Sequence, residues 1–141
     1  MRPPEEVRRG LIRQWLARAE EDFGLAEHLV SEGSPYLGAV GFHSQQAAEK
    51  FFKAVLVRHQ VEFPKTHNLG ELLDLVAKVD SGLAQSLQEA SVLNPYGVEI
   101  RYPGDFPEMT INDAKAAVSL AEKVRDAARA WLSDYLDERG T

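Results

Sequence analysis

Between Leu11 and Val30 the apolar residues Leu11, Ile12, Trp15, Ala19, Phe23, Ala26, Leu29 and Val30 recur at intervals of three and four. That spacing lines one face of an α-helix. It predicts a first helix from about Glu5 to Glu32, broken by Gly33-Ser34-Pro35. A second helix is predicted from about Tyr36 to His59. The third should start after Asn68 and carry Leu69, Leu72, Leu73, Val76 and Val79. Asn68 suits an N-cap, and Glu71 three positions on suits the positive end of the helix dipole. Ser81-Gly82 then sets off a short fourth helix, about Leu83 to Leu93. The last begins after Thr110, with Asp113 as its capping partner, and runs through Ala114, Ala117, Ala121, Val124, Ala128, Leu132 and Tyr135.

No stretch alternates long enough to predict a strand. The expected fold is therefore all-α: an antiparallel up-and-down bundle of four to five helices, one domain over residues 1–141. One connection stands apart. From Asn94 to Thr110 the chain reads NPYGVEIRYPGDFPEMT, with three prolines, two glycines and three aromatic residues. Long loops in compact domains are often functional; the competing reading is a proline-stiffened crossover.

Composition narrows the field. The chain is 44% hydrophobic and 27% charged, as in ordinary globular proteins. Its formal charge of −6 argues against constitutive DNA binding, which needs a basic surplus to neutralise phosphates. Cysteine is absent, so disulfides and thiolate metal sites are excluded. The start, MRPPEEVRRG, has no apolar signal core, and no uninterrupted apolar run is long enough to span a membrane. The expectation is a cytoplasmic protein without a membrane role. The histidines His28, His43, His59 and His67 include no pair four apart, so no metal is expected, and no sequence feature calls for a cofactor. HExxH, glycine-rich phosphate-loop and GxSxG motifs are missing.

The polar groups of the second helix are the chemistry on offer. At about 100° per residue, Val40, Ala48, Phe51, Phe52 and Val55 share a core face. His43, Gln46, Lys50 and Lys53 fall within about 80° of arc on another, with Gln45 and Glu49 further round. Such a stripe is ordinarily a solvated face. Ala39, Phe42 and Val57 lie in or beside it, however, and a mixture of small, aromatic and cationic residues suits an interface or cleft. In the first helix Asp22 sits in the sector of Leu11, Trp15, Ala19, Ala26 and Leu29. A carboxylate there needs a cationic partner, and Lys50 and Arg101 are the candidates. A buried structural pair, Asp22 with Lys50, and a site role are both open at this point.

Several segments together resemble the HEPN family, named for higher eukaryotes and prokaryotes nucleotide-binding. They are Phe42-His43-Ser44-Gln45-Gln46-Ala47-Ala48-Glu49-Lys50, Thr66-His67-Asn68-Leu69, Arg101-Tyr102-Pro103, and Trp15, Ala19, Asp22 and Ala26 in the first helix. The resemblance implies a small helical bundle that commonly forms homodimers. Many prokaryotic members of that family are paired with a minimal nucleotidyltransferase in toxin–antitoxin systems. Active members are metal-independent ribonucleases whose signature is an Arg followed, after four to six residues, by a His. In them the Arg steadies the scissile phosphate and the His serves acid–base chemistry.

This chain departs from that signature. No arginine is followed by a histidine at that spacing, and the corresponding region reads Arg101-Tyr102-Pro103-Gly104-Asp105-Phe106-Pro107-Glu108. What carries over is Arg101 as a candidate phosphate contact, with Tyr102 beside it. Three functions remain. The first is a module binding a nucleotide, RNA or a nucleotidyltransferase partner through His43, Gln46, Lys50, Lys53, Arg101 and Tyr102. The second is a divergent ribonuclease with Arg101, Tyr102 and His43 as catalytic candidates. The third is a purely structural bundle, held in register by Asp22, Lys50 and Arg101.

Overall fold

The computed structural model describes residues 4–97 and 108–137. The all-helical bundle is what the chain forms, with no strand among the described residues. Its elements are α1 (Pro4–Ser31), α2 (Leu37–Arg58), α3 (Leu69–Val79), α4 (Ser81–Ser86), a 3-10 helix (Gln88–Gly97) and α5 (Ile111–Asp137).

Helix α1 stops where the sequence says it must. Gly33 takes φ +67°, a left-handed conformation that costs glycine little. Its amide donates to the Val30 carbonyl and the Ser34 amide to that of Leu29. This Schellman closure satisfies the last carbonyls of α1 and turns the chain into α2. Contacts then run in opposite senses along the two helices. Asp22 meets Lys50, Trp15 lies under Lys53, and Arg8 reaches the carbonyl of Arg58.

Helix α2 is the central element. It buries Val40, Ala47, Ala48, Phe51, Phe52, Ala54, Val55 and Leu56 against neighbours on several sides. Alanines on the facing helices (Ala19, Ala117, Ala121 and Ala128) are buried too and allow close approach. Arg9 and Arg13 of α1 donate to the Tyr135 and Leu136 carbonyls at 2.8 Å each. Cations at a helix C-terminus complement both its orphan acceptors and its dipole. These bonds tie the start of α1 to the end of α5, so α5 also runs antiparallel to α1.

Helix α3 starts as predicted. Asn68 Oδ1 accepts from the amides of Gly70 at 2.8 Å and Glu71 at 3.3 Å. Asn68→Ala is expected to cost about 1 kcal/mol in urea denaturation, the usual loss for an N-cap; an unchanged midpoint would remove that role. At the other end Asp80 caps α4 through the Leu83 amide and accepts from the Trp131 indole. Those two bonds, led by the Leu83 amide, hold its carboxyl below the usual range.

The fourth predicted helix is differently built. In place of one element over Leu83–Leu93 there is a single turn and a half, then a 3-10 helix that includes Asn94, Pro95, Tyr96 and Gly97. Asn94–Gly97, expected within the long loop, thus belong to this helix. Asn94 Oδ1 accepts from the Leu69 amide at 2.7 Å, and Leu93 is fully buried. Together these hold the segment against the start of α3.

Candidate functional site

Two polar clusters arise from α2, on opposite flanks of its apolar core. The first lies between α1 and α2. Asp22 Oδ1 is 2.8 Å from His43 Nδ1, and Lys50 Nζ donates to Asp22 Oδ2. His43, Gln46 and Lys50 are all half-buried along one open row, with Phe42 and Ala39 in the same state beside them. Asp22 itself sits at the edge of the apolar face of α1, which is formed by Ile12, Leu16, Ala19, Phe23 and Ala26. Leu11 belongs outside that face and is exposed.

This geometry has a chemical consequence. An ionised carboxylate can only accept, so His43 must donate from Nδ1, which leaves Nε2 as the ring nitrogen turned away from Asp22, an acceptor in the neutral imidazole. Lys50 neutralises the carboxylate on its other oxygen. The row therefore presents an imidazole nitrogen, an amide and an ammonium from one rigid helix.

Of the second cluster, the sequence singles out only Lys53. Gln45 is 0% exposed and Glu49 2%, although helical spacing put them away from the core face. Glu49 Oε1 lies 2.8 Å from His67 Nδ1, and Oε2 accepts from Lys53 Nζ at 3.1 Å. Gln45 Nε2 donates to the His67 carbonyl at 2.8 Å, and its Oε1 accepts from Gln46 Nε2 at 2.7 Å. A glutamine and a glutamate four apart, set between the core face and the His43 stripe, were the available signal. Together they hold the connection before α3 onto α2.

Lys53 belongs to this second cluster. Predicted on the half-open stripe, it is only 8% exposed, with Nζ 5.4 Å from the Trp15 ring centre and 5.7 Å from that of Phe63. The connection after α2 brings Phe63 over it, a coverage no helical projection contains. Arg101 and Tyr102 lie outside the described residues. The ends of their segment do not: a Cβ on Gly41 would come within 3.0 Å of Met109 and Tyr96, and one on Gly97 within 2.6 Å of Gln45. Both ends are thus seated on the first half of α2.

Among the described residues no group of three or more His, Cys, Asp or Glu is placed to hold a metal, and no helix is long and apolar enough to cross a membrane. The profile of the HEPN domain matches residues 12–131, most of the chain and both polar clusters. The chain belongs to the HEPN domain family.

Solved structures agree on the fold. The protein TT1696 from Thermus thermophilus is 26% identical, with a TM-score of 0.66 over 84% of this chain and 96% of its own. An archaeal HEPN homologue superposes with a TM-score of 0.64 at 23% identity, over 86% of this chain and 97% of its own. No curated protein matches significantly. In this HEPN domain the segment FHSQQAAEK supplies both polar clusters at once. His43, Gln46 and Lys50 face the open row, and Gln45 and Glu49 face the connection before α3.

Proposed function

We propose that this HEPN-domain protein binds the phosphate-bearing part of a nucleotide or RNA as a homodimer, within a toxin–antitoxin pair whose other member is a minimal nucleotidyltransferase. The observation that carries the reading is the half-open row of His43, Gln46 and Lys50, fixed by Asp22. His43 and Gln46 lie on the helix half where Tyr96, Gly97 and Met109 are seated. Four positions separate Gly97 from Arg101, a chain length of at most about 14 Å. Arg101, with Tyr102 beside it, is the phosphate contact in this reading, because a guanidinium is the side chain best shaped for phosphate. A homodimer would place two such rows in one assembly.

The test is titration of purified protein with labelled single-stranded RNA and with ATP. Affinity should fall as salt rises, and Arg101→Ala should weaken it about tenfold or more, the loss of a charge-assisted contact. Lys50→Gln should weaken it less. Wild-type affinity in Arg101→Ala, or no binding of either probe, would exclude this reading.

The Asp22–His43 hydrogen bond favours a second reading, metal-independent RNA cleavage with His43 Nε2 as proton acceptor and Arg101 on the phosphate. Cleavage that persists in His43→Ala, or none in the wild type with chelator present, would dispose of it.

A further inference from the structure

We propose that the end of the α1–α2 pair remote from His43 receives an acidic amphipathic helix of a partner protein. A groove of about 550 Å³ lies there, walled by Pro4, Val7 and Leu11 of α1 and by Val57 and Val61 at the end of α2, with Arg8 on its rim. Val7 and Leu11 are 48% and 45% exposed, unusual for large apolar side chains on neighbouring turns of a charged helix. The groove continues past Leu11 into a second depression lined by Trp15 and Arg18. From Pro4 to Arg18 the track is about 21 Å long at the helical rise, the length of about four turns of a docked helix. Its length and apolar floor suit helix-in-groove recognition, in which a docked helix lays its apolar face into a hydrophobic groove.

Charge selects the occupant. In a chain of net charge −6, the charged residues lining both depressions are arginines, Arg8 and Arg18. Arg8 is 3.5 Å from Glu5 and donates to the Arg58 carbonyl through Nη1, with its Nε buried and without a partner, whereas Arg18 has no hydrogen-bond or ion-pair partner among the described residues. Positive lining around an apolar floor complements a helix with leucines on one face and glutamates flanking them. A twofold contact through the same face would instead bring the arginines of two chains together. Asp22 lies eleven residues along α1 from Leu11, about 16 Å at the helical rise, and one turn, about 6 Å, beyond Arg18. The apolar groove at Val7 and Leu11 is thus separate from the proposed phosphate row, and the Arg18 end borders it.

Two labelled synthetic helical peptides test this, each of about four turns with a leucine stripe, one flanked by glutamates and the other by lysines. Fluorescence anisotropy should show the acidic peptide binding at least tenfold more tightly. Leu11→Glu should weaken it tenfold or more, and Arg18→Glu should reverse the preference between the peptides. Both positions are exposed, so circular dichroism should show both variants folded; Arg18→Glu stands alone if Leu11→Glu is not. Equal affinity for the two peptides, binding of neither, or unchanged binding in Leu11→Glu overturns the proposal. So does a wild-type dimer that Leu11→Glu converts to a monomer, since a second copy would then fill the groove. RNA or ATP binding should be unaffected by Leu11→Glu, so failure there leaves the phosphate row untouched.

Discussion

Glu49→Ala is expected to destabilise the protein by about 3–5 kcal/mol, the cost of stranding one member of a buried ion pair. For a domain of this size that corresponds to a melting temperature lower by about 10–20 °C. The side chains of Glu49 and Lys53 are 3% and 10% exposed. With the carboxylate gone, the Lys53 ammonium keeps only the weak attraction of the Trp15 and Phe63 rings. Gln45 and His67 lose an acceptor in the same step. Replacing both members, Glu49→Leu with Lys53→Met, should restore much of the loss, because no buried charge then remains unpaired. His67→Ala should cost about 1 kcal/mol or less, since its side chain is 72% exposed. Thermal melts of the three variants decide the matter. A loss below about 1 kcal/mol for Glu49→Ala would mean that water reaches the pair and that it behaves like a surface bridge.

The second large effect is expected at Gly97. A Cβ there would stand 2.6 Å from Gln45 Cδ and 2.8 Å from Oε1. A free glutamine would swing aside, but Gln45 is buried and held by bonds to the His67 carbonyl and to Gln46. Moving it leaves buried amide groups unsatisfied, so Gly97→Ala should cost about 2–4 kcal/mol. Gly41→Ala meets atoms at 3.0 Å, two of them the thioether end of Met109, which adapts more readily and should hold the cost to about 1 kcal/mol. A urea-denaturation cycle of Gly97→Ala with Gln45→Ala should show a favourable coupling, as the double variant removes the clash. Additive losses within about 0.5 kcal/mol would place the strain somewhere other than this contact.

How far the sequence can be read depends on where each residue's energy comes from. The helix ends are local: Gly33 and Asn68 act through their own backbone and neighbours two or three residues away. Their signals therefore survive without a structure. Asp22 differs: a carboxylate near an apolar stripe demands a cation, the sequence offers Lys50 and Arg101 alike, and the packing of α2 on α1 brings Lys50 to it. The course of Asn94–Gly97 was misread because proline and glycine mark a turn locally. Its helical course depends on the Leu69 amide, a partner far away in sequence.

The burial of Gln45, Glu49 and Lys53 is the clearest limit. An angular projection of α2 has one core face because it assumes one neighbour. In the fold α2 is covered by α1, α5, the 3-10 helix and the connection carrying Phe63 and His67. Polar residues on its flanks are thereby enclosed, and they are tolerated because they satisfy one another.

Periodicity, caps and breakers by themselves determined an all-helical bundle and nearly every helix boundary, since those depend on interactions within a few residues. The segment FHSQQAAEK and its companions pointed to the HEPN family. Only the tertiary structure decided which polar groups of that segment stay open and which are sealed. That partition is set by what packs against each flank of α2, and packing partners distant in sequence leave no periodic trace.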